Sequence, residues 1–328
     1  MKATARAHPN IALVKYWGKR DDDLVLPHQS SLSVTLGPLA VTTTVQFRSV
    51  LADEVTVNGR RAAGTPLARV IATLDLVRSQ APGLGPARVV STGDFPEAAG
   101  LASSAAAFAA LAIAARTAAG LGRDTRAESI LARRGSGSAA RSIEGGVCVW
   151  HRGLLPDGTD SYAQQKFPPE AWPELRLVVG VVSTDAKDVK SRDGMKSAVE
   201  TSPFYGAWVQ SAEADIAPAL RAFAEHDLAS LGTLAERNAW RMHAVSMAAD
   251  PPLCYLRPST LEVIEGLRAL RRDGVAAYFT LDAGPNPVVL TLEANVRQVV
   301  TFLEQHGSRE TRVCKPGGDA VLVKEHLF

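Results

Sequence analysis

The stretch ARVVSTGDFPEAAGLASSAAAFAALAIAA, residues 87–115, changes character twice. ARVVST has the branched, apolar make-up of a short strand, GDFP reads as a turn, and the alanine-rich run that follows reads as a helix. The unit is therefore strand, loop, helix, with a Gly and two adjacent serines at the helix mouth. A glycine there lets a ligand approach the backbone closely. The first-turn N–H groups, which lack intrahelical partners, point outward at the positive end of the helix dipole. Ser103 and Ser104 add hydroxyls able to donate to phosphate oxygens or, at Ser104, to ligate a magnesium ion. The stretch has neither the G-x-x-x-x-G-K-[ST] pattern nor G-x-G-x-x-G spacing, and serines that merely cap a helix remain the alternative on these residues alone. A transmembrane span is rejected, because the run is mostly alanine and is broken by Gly100 and the serine pair.

Working outward, AVTTTVQF places Val41, Thr43, Val45 and Phe47 on one face of a half-buried strand, and LRLVVGVVS (175–183) is an apolar run of strand length. The chain then turns polar, and the expected domain boundary follows: a first lobe over 1–183 and a second over 184–328. Residues 208–225 and 228–247 read as helices. PSTLEVIEGLRALRRDG reads as another, with a capping box of Ser259 and Glu262, apolar positions at Leu261, Ile264, Leu267 and Leu270, and a closing Gly274. The strands VAAYFTL, PVVLTL and AVLVK alternate with a helix around 295–306 and are assigned to the second lobe.

With 328 residues, 46% of them hydrophobic, the chain can bury a substantial core. Its net charge of +2 gives no one-sided field for nucleic acid or an anionic membrane, so a small-molecule partner is expected. The odd number of cysteines (Cys148, Cys254, Cys314), without metal-ligand spacing, suits reduced thiols. MKATARAHPN lacks the apolar core of a signal peptide, and a cytoplasmic location is expected.

PEAAGLASSAAA (96–107) resembles the phosphate-binding motif of the kinase superfamily that includes galactokinase, homoserine kinase and mevalonate kinase. NIALVKYWGKRD (10–21), SSLSVTL (30–36), RRGSGSAARSIEGG (133–146) and FTLDAGPNPVVL (279–290) narrow that likeness. In this order, and over nearly the whole chain, they resemble the mevalonate diphosphate decarboxylase family. The resemblance implies an α+β fold with a lobe like domain 2 of ribosomal protein S5 followed by a ferredoxin-like lobe, the active site lying in the cleft between them. It further implies ATP and magnesium as cofactors, mevalonate 5-diphosphate as substrate and a homodimeric state. A related kinase that stops at the 3-phosphate, or a decarboxylase of a monophosphate, is the alternative within enzymes. A noncatalytic nucleotide-binding protein is the alternative outside them.

Residue by residue, the resemblance makes Asp282 the catalytic base, against the reading of a turn aspartate that satisfies local N–H groups. Arg141 would hold the substrate carboxylate with its planar fork, Ser136 and Ser138 would contact the same substrate, and Tyr16 and Lys19 match further substrate positions. Ser191 matches a serine near the transferring phosphoryl group, Arg192 a ligand of the diphosphate, and Met195 another substrate contact. Gly100, Ala102, Ser103, Ser104 and Lys187 would line the nucleotide phosphates. Lys15 and Arg20 are read as solvated and Trp17 as packing. Three departures from the family pattern stand out: Lys190 before Ser191, Gly93 and Asp94 where asparagines are frequent, and His28 and Gln29 before the serines.

Overall fold

The computed structural model describes residues 1–48, 51–95, 103–185 and 188–328. Two sheets organise them. The first runs in the order Val321–Val323, Lys2–Ala7, Val41–Phe47, Ala87–Gly93, Glu54–Val57, Arg60–Arg61. Every pairing in it is antiparallel except that between Glu54–Val57 and Ala87–Gly93. The helix Ser103–Ala118 lies across Lys2–Ala7 and Val41–Phe47 and against the helix Thr125–Gly135. Ala105, Ala106, Ala109, Ala110, Ala112, Ala114 and Ala115 are all fully buried, so the helix is enclosed on every side. Methyl-sized side chains allow that close approach, and this answers why the run is alanine rather than leucine.

The second sheet crosses between the lobes. Its order is Ala163–Phe167, Val147–Trp150, Ser31–Gly37, Glu310–Pro316, Leu175–Val181, Val288–Leu292, Ala277–Thr280, with Asn10–Val14 also on Ser31–Gly37. The seam is short: only Lys315 opposite Gly37 and Pro316 opposite Leu36 join Ser31–Gly37 to Glu310–Pro316. Leu175–Val181, which precedes the expected boundary, is hydrogen-bonded on both sides to strands from beyond it. All second-lobe pairings are antiparallel, and the helices Tyr205–Ala224, Leu228–Met247, Pro258–Arg272 and Val296–Gln305 complete an α+β arrangement.

Three local expectations need correction. AVLVK is not part of the second lobe: Val321–Val323 returns to pair with Thr4–Arg6 at the edge of the first sheet, because the carboxy-terminal segment crosses back over the molecule. The helix Pro258–Arg272 is not capped by Ser259 and Glu262. The reciprocal bonds lie two residues earlier, the Arg257 amide donating to Thr260 Oγ1 at 3.2 Å and the Thr260 amide to the Arg257 carbonyl at 3.0 Å, and Pro258 occupies the first helical position that suits it. Leu261, taken as a core position, is 46% exposed, whereas Ile264 and Leu267 are buried. All three cysteines are free thiols. Among the described residues no helix is long and apolar enough to cross a membrane.

Candidate active site

The site begins where the strand Asn10–Val14 loses its register. A bulge between Ala12 and Val14 breaks the ladder with Ser31–Gly37 and lifts the next residues out of the sheet. Lys15 is not solvated, contrary to expectation. Its side chain is 1% exposed, and its Nζ donates to the Ala12 carbonyl at 2.7 Å and to Asp282 Oδ1 at 2.8 Å. Burial holds the Lys15 ammonium below its ordinary range, while the Asp282 carboxylate pulls the other way.

Asp282 sits in the turn between Ala277–Thr280 and Val288–Leu292, its side chain 32% exposed. The turn is anchored at its far end. Asn286 Oδ1 accepts from the Val182 and Ser183 amides at 2.9 and 3.0 Å, and its Nδ2 donates to the Ser183 carbonyl at 2.9 Å. The Asp282 carboxylate faces Lys15 across the lobes, while its backbone carbonyl accepts from the Gly284 amide at 2.7 Å within the turn.

Arg141, 3% exposed, lies on the short 3₁₀ turn Gly137–Ser142. Its Nη1 donates to Ser31 Oγ at 2.5 Å and its Nη2 to Asn10 Oδ1 at 3.3 Å. Its buried Nε has no hydrogen-bond partner among the described residues. Burial lowers Arg141 to about 10, opposed first by the nearby Asp282 charge, so the guanidinium stays charged at neutral pH. An anchored cation with an unused donor is a site prepared for an anion. The same turn meets Tyr16, since a Cβ on Gly137 would lie 2.7 Å from its ring. Tyr16 packs edge-on to Trp150 with 4.7 Å between ring centres, and burial pushes its phenol well above the ordinary range, so it remains a hydroxyl.

The structure places the remaining expected residues as follows. Lys19 is ion-paired to Asp22. The Lys19 hydrogen bond is the main cause holding the Asp22 carboxyl below its usual range, and the Lys196 and Arg192 charges add to it. Ser191 opens the helix Ser191–Thr201, and Arg192 follows, exposed, its charge reaching Tyr16, Asp22 and Arg69. Met195 is buried in the apolar cluster that contains Trp17 and Tyr205. Ser104 Oγ lies 3.3 Å from Ser136 Oγ, tying the alanine-rich helix to the Gly-Ser turn. The backbone carbonyl of Ser138 accepts from Asn10 Nδ2 at 3.0 Å. Gly100, Ala102 and Lys187 lie outside the described residues.

A cavity of about 240 Å³ opens beside the helix mouth, lined by Val55, Val89 and Leu111 with Asn58, Ser103 and Ser104 among others. Sequence reasoning missed Arg69 in this wall. It lies 4.6 Å over the Phe108 ring and donates to the Gly135 carbonyl at 3.0 and 2.7 Å, and burial, helped by the Arg192 charge, lowers it to about 10. The departure at Asp94 is absorbed structurally, through bonds from the Ala40 amide at 2.8 Å and from Arg6 at 3.2 Å. Gln29 is fully buried against the chain at Trp17.

Residues 7–163 match the diphosphomevalonate decarboxylase-like N-terminal domain and residues 177–317 the mevalonate 5-diphosphate decarboxylase C-terminal domain. The diphosphomevalonate decarboxylase of Candida albicans is 38% identical over 318 residues, covering 93% of this chain and 88% of its own. The solved mevalonate diphosphate decarboxylase of Enterococcus faecalis, studied for mevalonate diphosphate mediated ATP binding, superposes with a TM-score of 0.92 at 40% identity and 99% coverage of both chains. The MDDEF complex with MVAPP, AMPPCP and magnesium gives 0.93 at 40% identity, again over 99% of each chain. With an interlobe carboxylate, a buried cation beside it and both domain models matched in order, the chain belongs to the diphosphomevalonate decarboxylase family.

Proposed function

We propose that this protein converts mevalonate 5-diphosphate and ATP to isopentenyl diphosphate, ADP, phosphate and carbon dioxide. The observation that carries the reading is Asp282, held 2.8 Å from Lys15 and electrostatically coupled to Arg141. A tertiary alcohol is a poor leaving group, so it must first become a phosphate ester. In this reading Asp282 accepts the C3 hydroxyl proton as that oxygen takes the γ-phosphoryl group. Phosphoryl transfer is loose, so alignment matters more than raw basicity, and the buried Lys15 supplies alignment by fixing one carboxylate oxygen. The C3–O bond then breaks with its electrons leaving on phosphate. The C1–C2 bond breaks with its electrons forming the C2–C3 double bond, and carbon dioxide departs. Arg141, with its Nε unused, holds the substrate carboxylate in plane for that fragmentation.

Tyr16, Lys19, Ser136, Ser138, Ser191, Arg192 and Met195 are assigned to substrate, and Gly100, Ala102, Ser103, Ser104 and Lys187 to nucleotide phosphates. The 240 Å³ cavity beside Ser103 and Ser104 suits the nucleoside. Among the described residues no cluster of three His, Cys, Asp or Glu side chains could hold a metal alone. A magnesium ion carried by nucleotide phosphates, with the Ser104 hydroxyl as a protein ligand, fits that donor set. Bound there, magnesium neutralises phosphate charge. A cytoplasmic homodimer, the remaining part of the proposal, rests on the family likeness and is checked by light scattering in solution.

The test is product analysis with ATP and each mevalonate phosphate, using wild type and Asp282→Asn. Carbon dioxide and isopentenyl diphosphate from the diphosphate alone are expected, with turnover nearly abolished in the folded variant. A stable 3-phosphate, preference for the monophosphate, or a near-normal Asp282→Asn enzyme overturns it.

A further inference from the structure

We infer that Asn238, itself held by Asp215, is a positioning residue that fixes the main chain at Lys15 and thereby aims Lys15 Nζ at Asp282. The inference deepens the reading of Asp282 as the base and rests on it. Past the bulge at Ala12 and Val14, the Lys15 amide donates to a side chain, Asn238 Oδ1, at 2.8 Å. Asn238 lies fully buried on the helix Leu228–Met247. Its other end donates from Nδ2 to Asp215 Oδ2 at 2.9 Å, on the neighbouring helix Tyr205–Ala224. Asp215 is in turn fixed by Arg237 at 2.7 Å, with Arg241 at 3.5 Å. The chain of bonds runs from two half-exposed arginines, through two buried polar side chains, to the residue that contacts the base.

A buried amide is costly unless both ends are satisfied, and here each end meets a single complementary group. Asparagine supplies both an acceptor toward Lys15 and a donor toward Asp215. Leucine would supply neither, and aspartate would face Asp215 with a second carboxylate. The Lys15 side chain then folds back to the Ala12 carbonyl, which also accepts from Thr280 Oγ1 at 3.2 Å, two residues before Asp282. Amide and ammonium of one residue are thus pinned from opposite sides, and loosening the amide frees the ammonium.

The charged and titratable groups brought toward Asp282 are Lys15 and Arg141, with Tyr16 and Cys148 beside Arg141. Glu236 is engaged by Arg271 and the Phe279 amide, and Asp215 by Arg237. A carboxylate that loses its nearest cation loses the hydrogen bond that aligns it, so displaced Lys15 lowers kcat and leaves nucleotide binding in place.

The experiment compares Asn238→Ala, Asp215→Ala and Asp215→Asn with Leu231→Ala, a fully buried core position on the same helix as Asn238. Expected for Asn238→Ala is a kcat about 10-fold lower with KM for ATP within about twofold. Asp215→Ala gives the same direction should Asn238→Ala not fold. Asp215→Asn, which keeps an acceptor for Nδ2, restores kcat to within about threefold. Leu231→Ala loses stability through its cavity while leaving kcat in place. A kcat within about threefold in both alanine variants, a KM for ATP that rises along with the loss of kcat, or the same kinetic loss in Leu231→Ala overturns the inference. Asp282→Asn run alongside separates the two levels. If it is active, the base assignment fails; if it is dead while Asn238→Ala is normal, only the positioning role fails.

Discussion

Replacing Lys15 by Met separates what this side chain does for the reaction from what it does for the fold. Methionine nearly matches the lysine stem in length and removes the charge. The ammonium is 1% exposed and bonded to Ala12 and Asp282, so wild type bears the desolvation of a buried cation. Removing one partner of a buried pair is damaging when the other is stranded. Here Asp282 is 32% exposed and can be taken up by water, and the Ala12 carbonyl keeps the Thr280 hydroxyl. Stability should therefore stay within about 1 kcal/mol of wild type or rise. Turnover should fall, since a charge-assisted hydrogen bond of about 1.5–3 kcal/mol corresponds to about 10- to 150-fold in rate. The pH dependence carries a second sign. Burial lowers the folded-state value of Lys15 below 10.5, so the unfolded chain binds more protons between the two values. Stability of wild type relative to Lys15→Met must then rise with pH through that alkaline window and level off above 10.5. Calorimetry across that range and steady-state kinetics read both effects. A variant that loses stability as steeply as activity, or whose turnover stays within about threefold, refutes the reasoning.

Gly137→Ala would press a methyl into Tyr16, whose nearest ring carbon lies 2.7 Å from the ideal Cβ, against the 3.4 Å where ordinary contact begins. The ring is backed by Trp150, so a stability loss of about 1–3 kcal/mol and a raised KM for the diphosphate substrate are expected from thermal melts and initial rates. Arg141→Lys keeps the charge but cannot bond Ser31, Asn10 and a carboxylate together in one plane. Its kcat/KM should drop about 100-fold with the fold intact by circular dichroism, and a drop under about threefold would remove the carboxylate-holding role.

The elements with strong periodicity were legible in the chain. Val41–Phe47, Leu175–Val181 and Leu228–Met247 follow from alternation, an apolar run and helical spacing. What could not be read was partnership between distant segments. AVLVK looks like any second-lobe strand, and only closure of the chain onto Thr4–Arg6 places it in the first sheet. The sheet shared by both lobes depends on two residue pairs, Lys315 with Gly37 and Pro316 with Leu36, which leave no periodic trace.

The candidate site was legible where a segment matches a family motif, and illegible where only burial sets a residue apart. The Gly-Ser turn before Arg141 and the aspartate inside Asp-Ala-Gly-Pro-Asn are singled out by their likeness to the family's motifs; taken alone they read as ordinary turns. Lys15 is not singled out, because a lysine three residues before a glycine is ordinarily solvated. Its burial arises from three contributions far apart in the chain: the bulge at Ala12, the amide of Asn238 and the carboxylate of Asp282. None of them places a charge within its own neighbourhood. The misreading of Lys15 therefore has the same physical origin as its proposed role. Lys15 comes from the first lobe and its partners Asn238 and Asp282 from the second, so its buried ammonium is held only where the two lobes meet.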